Sequence, residues 1–227
     1  MKATGADLGV AHDGDADRIG AVDDRGNYVG MDQLLAVVAA AQVKEGSKRI
    51  VTTVDASRVV DDAVEEAGGE VLRTKVGDVA VAQEILKTGA VFGGEPSGSW
   101  IFSNIHLAPD GPLAALELVE LLEKSEKKLS ELVADLPKYF TSREKIPCPE
   151  KKKKKAMDKL SKLVSVEIGG KLTTVDGVRA DLESGWVLIR PSGTEPYIRV
   201  TAEGKTKSDV QNLMKKSLKL VRNAVKG

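Results

Sequence analysis

Apolar residues change their spacing several times along this 227-residue chain, and each change marks an expected element. Residues 7–12 (Asp-Leu-Gly-Val-Ala-His) and 18–23 (Arg-Ile-Gly-Ala-Val-Asp) are short apolar runs flanking an acidic turn, so two strands are expected there. Arg25-Gly26-Asn27 reads as a turn into another extended piece. From Asp32 the spacing becomes helical, with Leu34, Leu35, Val37, Val38, Ala41 and Val43 forming a mostly apolar helix and Asp32 its N-cap. Arg49–Asp55 is a β-rich run. Ser57 opens a helix with Val59, Val60 and Val64 on one face, and Gly68-Gly69 stop it. Val71–Lys75 is extended, Asp78 caps a helix ending at Gly89, and Ala90–Gly93 is extended again. Strand, helix, strand, helix, strand at these lengths predicts an α/β domain with a mainly parallel sheet. A further helix is expected over Leu113–Lys128, with Asp110 and Pro112 at its start.

The grammar changes between Pro137 and Lys155. Pro137, Pro147 and Pro149 are expected to break regular structure, and the run Lys151–Lys155 reads as a linker or a solvated helix face rather than a nucleic-acid contact. Beyond it come a short helix and strands near Leu172–Val175, Val178–Leu182, Trp186–Arg190 and Tyr197–Ala202. A terminal helix carries Val210, Leu213, Met214, Leu218, Val221 and Val225 on one stripe. This predicts a second, smaller α+β domain with an antiparallel sheet. No internal repeat is seen.

Composition narrows the function classes. Lys+Arg 34 against Asp+Glu 34 gives zero formal charge, which argues against a nucleic-acid binder. No stretch approaches the roughly 20 apolar residues of a membrane span. Met1-Lys2-Ala3-Thr4-Gly5 lacks the apolar core of a secretory signal, so a cytoplasmic address is expected. Cys148 is the single cysteine, excluding an internal disulfide and a multi-cysteine zinc site. Abundant Lys and Glu with sparse Asn, Gln, Cys and Met resembles proteins from hot environments, although solubility selects the same composition.

Three motifs carry chemistry. In Asp13-Gly14-Asp15-Ala16-Asp17-Arg18, alternate carboxylates converge on a hard cation, while an acidic surface turn reads equally from this motif alone. A calcium EF-hand loop also begins Asp-x-Asp-x-Asp, but it needs Gly where Arg18 stands, Glu where Asp24 stands, and helical flanks. Three carboxylates leave room for a phosphoryl oxygen, as catalytic Mg²⁺ requires, and Arg18 places a fixed cation beside it. In Gly93-Gly94-Glu95-Pro96-Ser97-Gly98, glycines admit close backbone approach, and Glu95 and Ser97 can grip adjacent sugar hydroxyls; a polar strand-end turn is the plainer reading. Trp100 after it reads as core. Arg190-Pro191-Ser192-Gly193-Thr194-Glu195-Pro196, with Arg199 beyond, offers a bidentate cation and hydroxyl and amide donors to an anion, although a hairpin turn has the same outline. The Gly-Lys-Ser/Thr of a nucleotide P-loop is missing. Arg73-Thr74-Lys75-Val76-Gly77-Asp78 is less distinctive: Lys75 is a proton shuttle if its pKa is lowered, and a plain surface lysine otherwise.

Asp13–Arg18, Lys75–Asp78, Gly94–Gly98 and Arg190–Pro196, in this order, resemble the metal, lysine, sugar and phosphate loops of the α-D-phosphohexomutases. The resemblance runs over essentially the whole chain. It implies residues 1–30 as the tail of the family's second domain, 31–140 as its α/β third domain, and 141–227 as the α+β fourth domain that closes over the substrate phosphate. It also implies isomerase chemistry on a hexose phosphate. An enzyme phosphoserine held against Mg²⁺ phosphorylates the free sugar hydroxyl, the bisphosphate turns over, and the other phosphate returns to the serine. Asp13, Asp15 and Asp17 would ligate Mg²⁺, Arg18 would stabilise the transferring group, and Lys75 would be the acid/base. Glu95 and Ser97 would hold sugar hydroxyls, and Arg190, Ser192, Gly193, Thr194 and Arg199 the phosphate. The resemblance places these groups around one cleft.

This chain departs from the pattern where Ser99 stands in place of a common His and where Asp78 follows Lys-x-Gly. No Thr/Ser-x-Ser-His-Asn-Pro-like segment appears. The expectation is therefore a C-terminal half, inactive alone, whose nucleophile belongs to a separate N-terminal half. A non-catalytic fragment binding Mg²⁺ and a sugar phosphate is the alternative, and a calcium-binding structural protein the third. Gly94–Gly98 followed by Trp100-Ile101 leans toward the archaeal-type branch, with the sugar left open.

Overall fold

A computed structural model describes residues 3–226; Met1, Lys2 and Gly227, at the ends of the outer expected segments, lie outside the described residues. The chain forms two compact units, Met1–Pro137 and Lys138–Gly227.

The first unit opens with an antiparallel hairpin of β1 (Gly9–His12) and β2 (Ile19–Val22). His12 pairs with Ile19, so the acidic turn closes the hairpin. Tyr28 bridges back to Val22 as the expected extended piece. Helix α1 (Met31–Lys44) follows, with Leu34, Leu35, Ala36, Val37, Val38 and Ala39 all buried, the mark of an interior helix. Its N-cap is Gly30 and not Asp32. Asp32 lies in the first turn, where its carboxylate accepts from the Ser57 N–H at 2.8 Å and so ties the start of the next helix to this one.

Then come β3 (Arg49–Thr53), α2 (Arg58–Glu66), β4 (Glu70–Thr74), α3 (Asp78–Thr88), β5 (Phe92–Gly94) and β6 (Trp100–Phe102). Ser57 caps α2 as expected, accepting from the Val59 N–H. Gly77, at φ 128°, replaces the expected Asp78 as cap of α3, because the chain enters that helix through a backbone shape that favours glycine. The sheet order is β4-β3-β5-β6, parallel except for β6. Val51 and Ile101 of the sheet pack with Val81 and Ile85 of α3 on one face. Trp100 is fully buried, edge-on to Phe92 with ring centroids 6.2 Å apart, so it is core. The expected Leu113–Lys128 helix is α4 (Gly111–Ser125), capped by Asp110, and a short helix not expected from the sequence, α5 (Leu129–Ala134), follows it. Glu126, left-handed at φ 54°, divides them.

The second unit begins with β7 (Phe140–Pro147), in the stretch expected to be irregular. Its prolines do no harm because Pro147 is the last strand residue and Pro149 the N-cap of the following helix. After β7 come α6 (Glu150–Glu167), β8 (Lys171–Thr173), β9 (Val178–Leu182), β10 (Gly185–Pro191), β11 (Tyr197–Gly204) and α7 (Lys207–Lys226). The antiparallel order is β7-β11-β10-β9-β8. Ala156, Leu160 and Val164 of α6 and Val210, Leu213, Met214 and Val221 of α7 share one core with Val187, Ile189, Ile198 and Val200 of the sheet. Leu218 and Val225 pack at its margin. The lysine run is neither linker nor wholly solvated. It forms the first turns of α6, and Lys153 is buried on the same stripe as Ala156, Leu160 and Val164. The fold is thus a mixed α/β unit followed by a smaller antiparallel one. No helix among the described residues is long and apolar enough to cross a membrane.

Candidate functional site

Parallel strands present their carboxyl ends to ligands, and in the first unit this edge gathers the candidate residues. β4 ends into Lys75, which is exposed, and then Gly77. β5 ends into Glu95, which is buried at 9% exposure. The Gly77 N–H donates to Glu95 Oε1 at 2.7 Å, so the lysine segment and the sugar loop are joined. Ser97 Oγ donates weakly to Glu95 Oε2 at 3.5 Å. Burial first, then the nearby charges of Asp55 and Asp78, push the Glu95 carboxyl above the usual range against the opposing pull of the Gly77 N–H.

The Glu95–Ser99 turn is closed by Glu95 N–H to Ser99 O at 3.0 Å and Gly98 N–H to Glu95 O at 3.1 Å. Its outer side lies on the acidic hairpin. Ile19 N–H donates to Gly98 O at 3.1 Å, and Arg18 and Ser99 form an antiparallel bridge. Gly98 sits at φ 93°, and a Cβ there would lie 2.3 Å from Ile19 O, so only glycine allows this approach. On its other side the hairpin is held by α4. The Gly111 N–H donates to Ala16 O at 3.0 Å, and a Cβ on Gly111 would lie 2.6 Å from Arg18 O. The metal and sugar motifs, 80 residues apart in sequence, are therefore physically locked together (Arg18 to Gly98).

Within the hairpin turn, Asp13, Asp15 and Asp17 each offer an oxygen within 4.8 Å of the others. Ala16 takes a left-handed shape, φ 59°, that lets the alternate carboxylates converge. Arg18 Nε lies 3.5 Å from Asp13 Oδ2 and 3.6 Å from Asp17 Oδ1, with its side chain 54% exposed. Asp17 Oδ1 has no exposed surface and no hydrogen-bond donor. Burial, then repulsion from Asp15 and Asp13, pushes the Asp17 carboxyl up. A buried carboxylate oxygen without a donor, beside two more carboxylates, is a set that a hard oxygen-seeking dication fits. The flanks are strands, so the turn is not an EF-hand.

The phosphate motif lies in the second unit, at the β10–β11 turn. Arg190 and Arg199 face each other across the paired strands. Arg190 Nε lies 2.7 Å from Asp176 Oδ2, and Arg199 Nη2 lies 3.1 Å from Glu195 Oε2. Ser192 is buried and its Oγ accepts from the Glu195 N–H at 3.2 Å, while Gly193 and Thr194 are exposed. Among the described residues the Gly193 and Thr194 N–H groups have no acceptor, the arrangement of an open anion nest.

Sequence reasoning missed three contributors. Gly111 and the His12 ring, whose Nδ1 lies 3.1 Å from Arg18 O, support the acidic turn. Lys153 donates from behind to Ser192 O and Glu195 O at 2.6 and 2.8 Å. Its apolar-stripe position at three- and four-residue spacing was the available signal.

Known proteins match this chain in sequence and fold. Residues 31–140 match the profile described as phosphoglucomutase/phosphomannomutase, alpha/beta/alpha domain III, and residues 144–220 match that family's C-terminal domain. A phosphoglucosamine mutase of Methanocaldococcus jannaschii is 51% identical over 224 residues, covering 96% of this chain and 49% of that protein. A solved phosphoglucomutase/phosphomannomutase family protein of Burkholderia thailandensis superposes with TM-score 0.85 at 28% identity, over 98% of this chain and 48% of that one. An Aspergillus fumigatus N-acetylphosphoglucosamine mutase, solved with GlcNAc-6P and magnesium, shares the fold at TM-score 0.68 and 18% identity, over 99% of this chain and 50% of that one. The chain spans about half the length of the curated relatives it matches, 49% for the M. jannaschii protein. With both of its units matched, over their α/β and antiparallel sheets alike, the chain belongs to the phosphoglucomutase/phosphomannomutase family and corresponds to its C-terminal half.

Proposed function

We propose that these residues are the metal-, sugar- and phosphate-binding part of a cytoplasmic phosphohexomutase acting on a hexosamine phosphate, moving phosphate between its 1- and 6-positions. The observation that carries this reading is the lock between the Asp13–Arg18 turn and the Glu95–Ser99 turn, which gives one site both a cation set and a sugar-hydroxyl set. The relatives named phosphoglucosamine mutase support the amino sugar, and the fungal enzyme of the same fold holds GlcNAc-6P and magnesium.

Mg²⁺ on Asp13, Asp15 and Asp17 would neutralise charge on a transferring phosphoryl group. The protein's own residues do the rest. Arg18, half-exposed, adds a second fixed cation to the same oxygens. Glu95 Oε1 is taken by Gly77, so Oε2 and Ser97 Oγ are left to hold sugar hydroxyls. Glu95 is rigid because it is buried, so it orients the ring. Lys75, exposed in the segment that anchors Glu95, would pass a proton to or from a sugar oxygen. Arg190, Arg199, Ser192 and the amides of Gly193 and Thr194 would bind the phosphate that is not reacting. The phosphoserine nucleophile would come from the part of the family protein that these residues do not span, and the 227 residues by themselves would not turn over.

Calorimetric titration tests this. Mg²⁺ should bind, glucosamine 6-phosphate should bind, and Asp15→Asn should weaken Mg²⁺ at least about tenfold. Heat from Ca²⁺ with none from the sugar phosphate would favour a structural calcium protein instead.

A further inference from the structure

We infer that Lys153 is a positioning residue for the phosphate loop, an inference that rests on the phosphate-binding reading of Ser192–Thr194. The side chain is 6% exposed, and its ammonium donates to Ser192 O at 2.6 Å and Glu195 O at 2.8 Å, with Glu150 Oε2 2.5 Å away. These are the acceptors on the two sides of the Gly193-Thr194 tip. An ammonium has three donors, and each has a partner here.

Stability alone does not account for this lysine. It sits in the first turn of α6, where the helix dipole disfavours a cation. It also occupies a place on a stripe that continues Ala156, Leu160, Val164, where a leucine or methionine would avoid desolvating a charge. What the ammonium does, and an apolar side chain does not, is to hold two loop carbonyls turned inward. A peptide unit whose carbonyl points one way points its amide the other. Fixing Ser192 O inward therefore turns the Gly193 N–H, which belongs to the same peptide, outward. Fixing Glu195 O closes the other side, while Ser192 Oγ holds the Glu195 N–H at 3.2 Å and removes it from competition. The same charge stands behind the tip and strengthens its pull on an anion. Cys148 N–H to Pro196 O at 2.8 Å anchors the loop exit independently, so the turn has a second support when Lys153 is changed.

Inorganic phosphate is the probe, followed by amide chemical shifts in the full chain. In the unsubstituted protein the Gly193 and Thr194 amides should shift on addition of phosphate. In Lys153→Met they should lie at altered positions without phosphate, and phosphate affinity should fall about tenfold. The amides of Val187 and Ile189 in β10 should stay in place, which a general structural collapse would not allow. Lys153→Gln, which keeps donors and loses charge, should fall between the two. A folded Lys153→Met that keeps its phosphate affinity overturns the assignment. Loss of the β10 signals in both variants also overturns it, by making the lysine a folding residue. Failure of the unsubstituted protein's own Gly193 and Thr194 amides to respond to phosphate would remove the phosphate-loop reading itself, and the assignment with it.

Discussion

Gly98→Ala tests the lock between the sugar loop and the acidic hairpin. The new Cβ would lie 2.3 Å from Ile19 O and 3.2 Å from Ile19 N, and the residue would keep φ near 93°. Left-handed strain costs about 1–2 kcal/mol for a residue with a Cβ. Pushing a strand backbone aside costs about 1–3 kcal/mol more. Losing the 3.1 Å bond from Ile19 N–H to Gly98 O costs about 1 kcal/mol. The sum is about 4 kcal/mol, which lowers the melting temperature of a unit this size by about 14 °C. Gly14→Ala is the control in the same hairpin. Nothing lies within 4 Å of its Cβ, so the change should stay within about 0.5 kcal/mol. Scanning calorimetry with and without Mg²⁺ is the assay. If Gly98→Ala relaxes the clash by parting the two turns, Mg²⁺ stabilisation falls even where melting changes less. A Gly98→Ala protein that melts with the parent and keeps its Mg²⁺ stabilisation would refute the reasoning.

Other outcomes follow from the same geometry. Arg73 is mostly buried, donates to Thr53 O at 2.9 Å and Ala56 O at 3.3 Å, and pairs with Asp61; Arg73→Met should cost about 3 kcal/mol in urea unfolding by stranding that carboxylate and both carbonyls. Glu95 has a raised pKa, so its favourable, protonated contribution is complete below the ordinary carboxylate range and is lost as pH rises through the raised value. Glu95→Gln should accordingly be at least as stable as the parent at neutral pH, with the gap closing in acid, while sugar-phosphate binding is lost. Asp110 is held low, first by the Leu113 N–H and then by His106, so its contribution is present above the ordinary range and lost as pH falls through its lowered value. Asp110→Ala should remove about 1 kcal/mol at neutral pH and nearly nothing in strong acid, read by thermal melts across pH.

Much of the first unit was legible because its elements obey simple periods. The β3–α2–β4–α3–β5 run alternates β-rich segments and helical stripes with glycine stops, and the pattern decides the class. The misses have local causes. β6 is a three-residue strand, too short for a period to show, and its pairing is set by the turn at Gly98. Asp32 and Asp78 looked like caps because cap chemistry and first-turn chemistry favour the same side chain. β7 hid behind its prolines, which sit at positions where no ladder donor is needed. At the site, the acidic turn and the loops could be picked out by residue type. That Gly98 and Gly111 hold them together depends on approaches of 2.3 and 2.6 Å that spacing does not encode. Lys153 was missed because a lysine in a lysine run is ordinarily solvated, whereas this one faces carbonyls 39 and 42 residues away.

A chimera decides whether these residues serve a phosphohexomutase. The N-terminal half of the M. jannaschii relative, which is 51% identical over its matched half, would be fused ahead of this chain. Interconversion of glucosamine 6-phosphate and glucosamine 1-phosphate would be followed by phosphorus NMR. Turnover by the chimera, its loss in Asp15→Asn, and silence from the 227 residues alone are the results expected. A folded chimera that binds Mg²⁺ and the sugar phosphate yet moves no phosphate, or turnover by the 227 residues unaided, would contradict it.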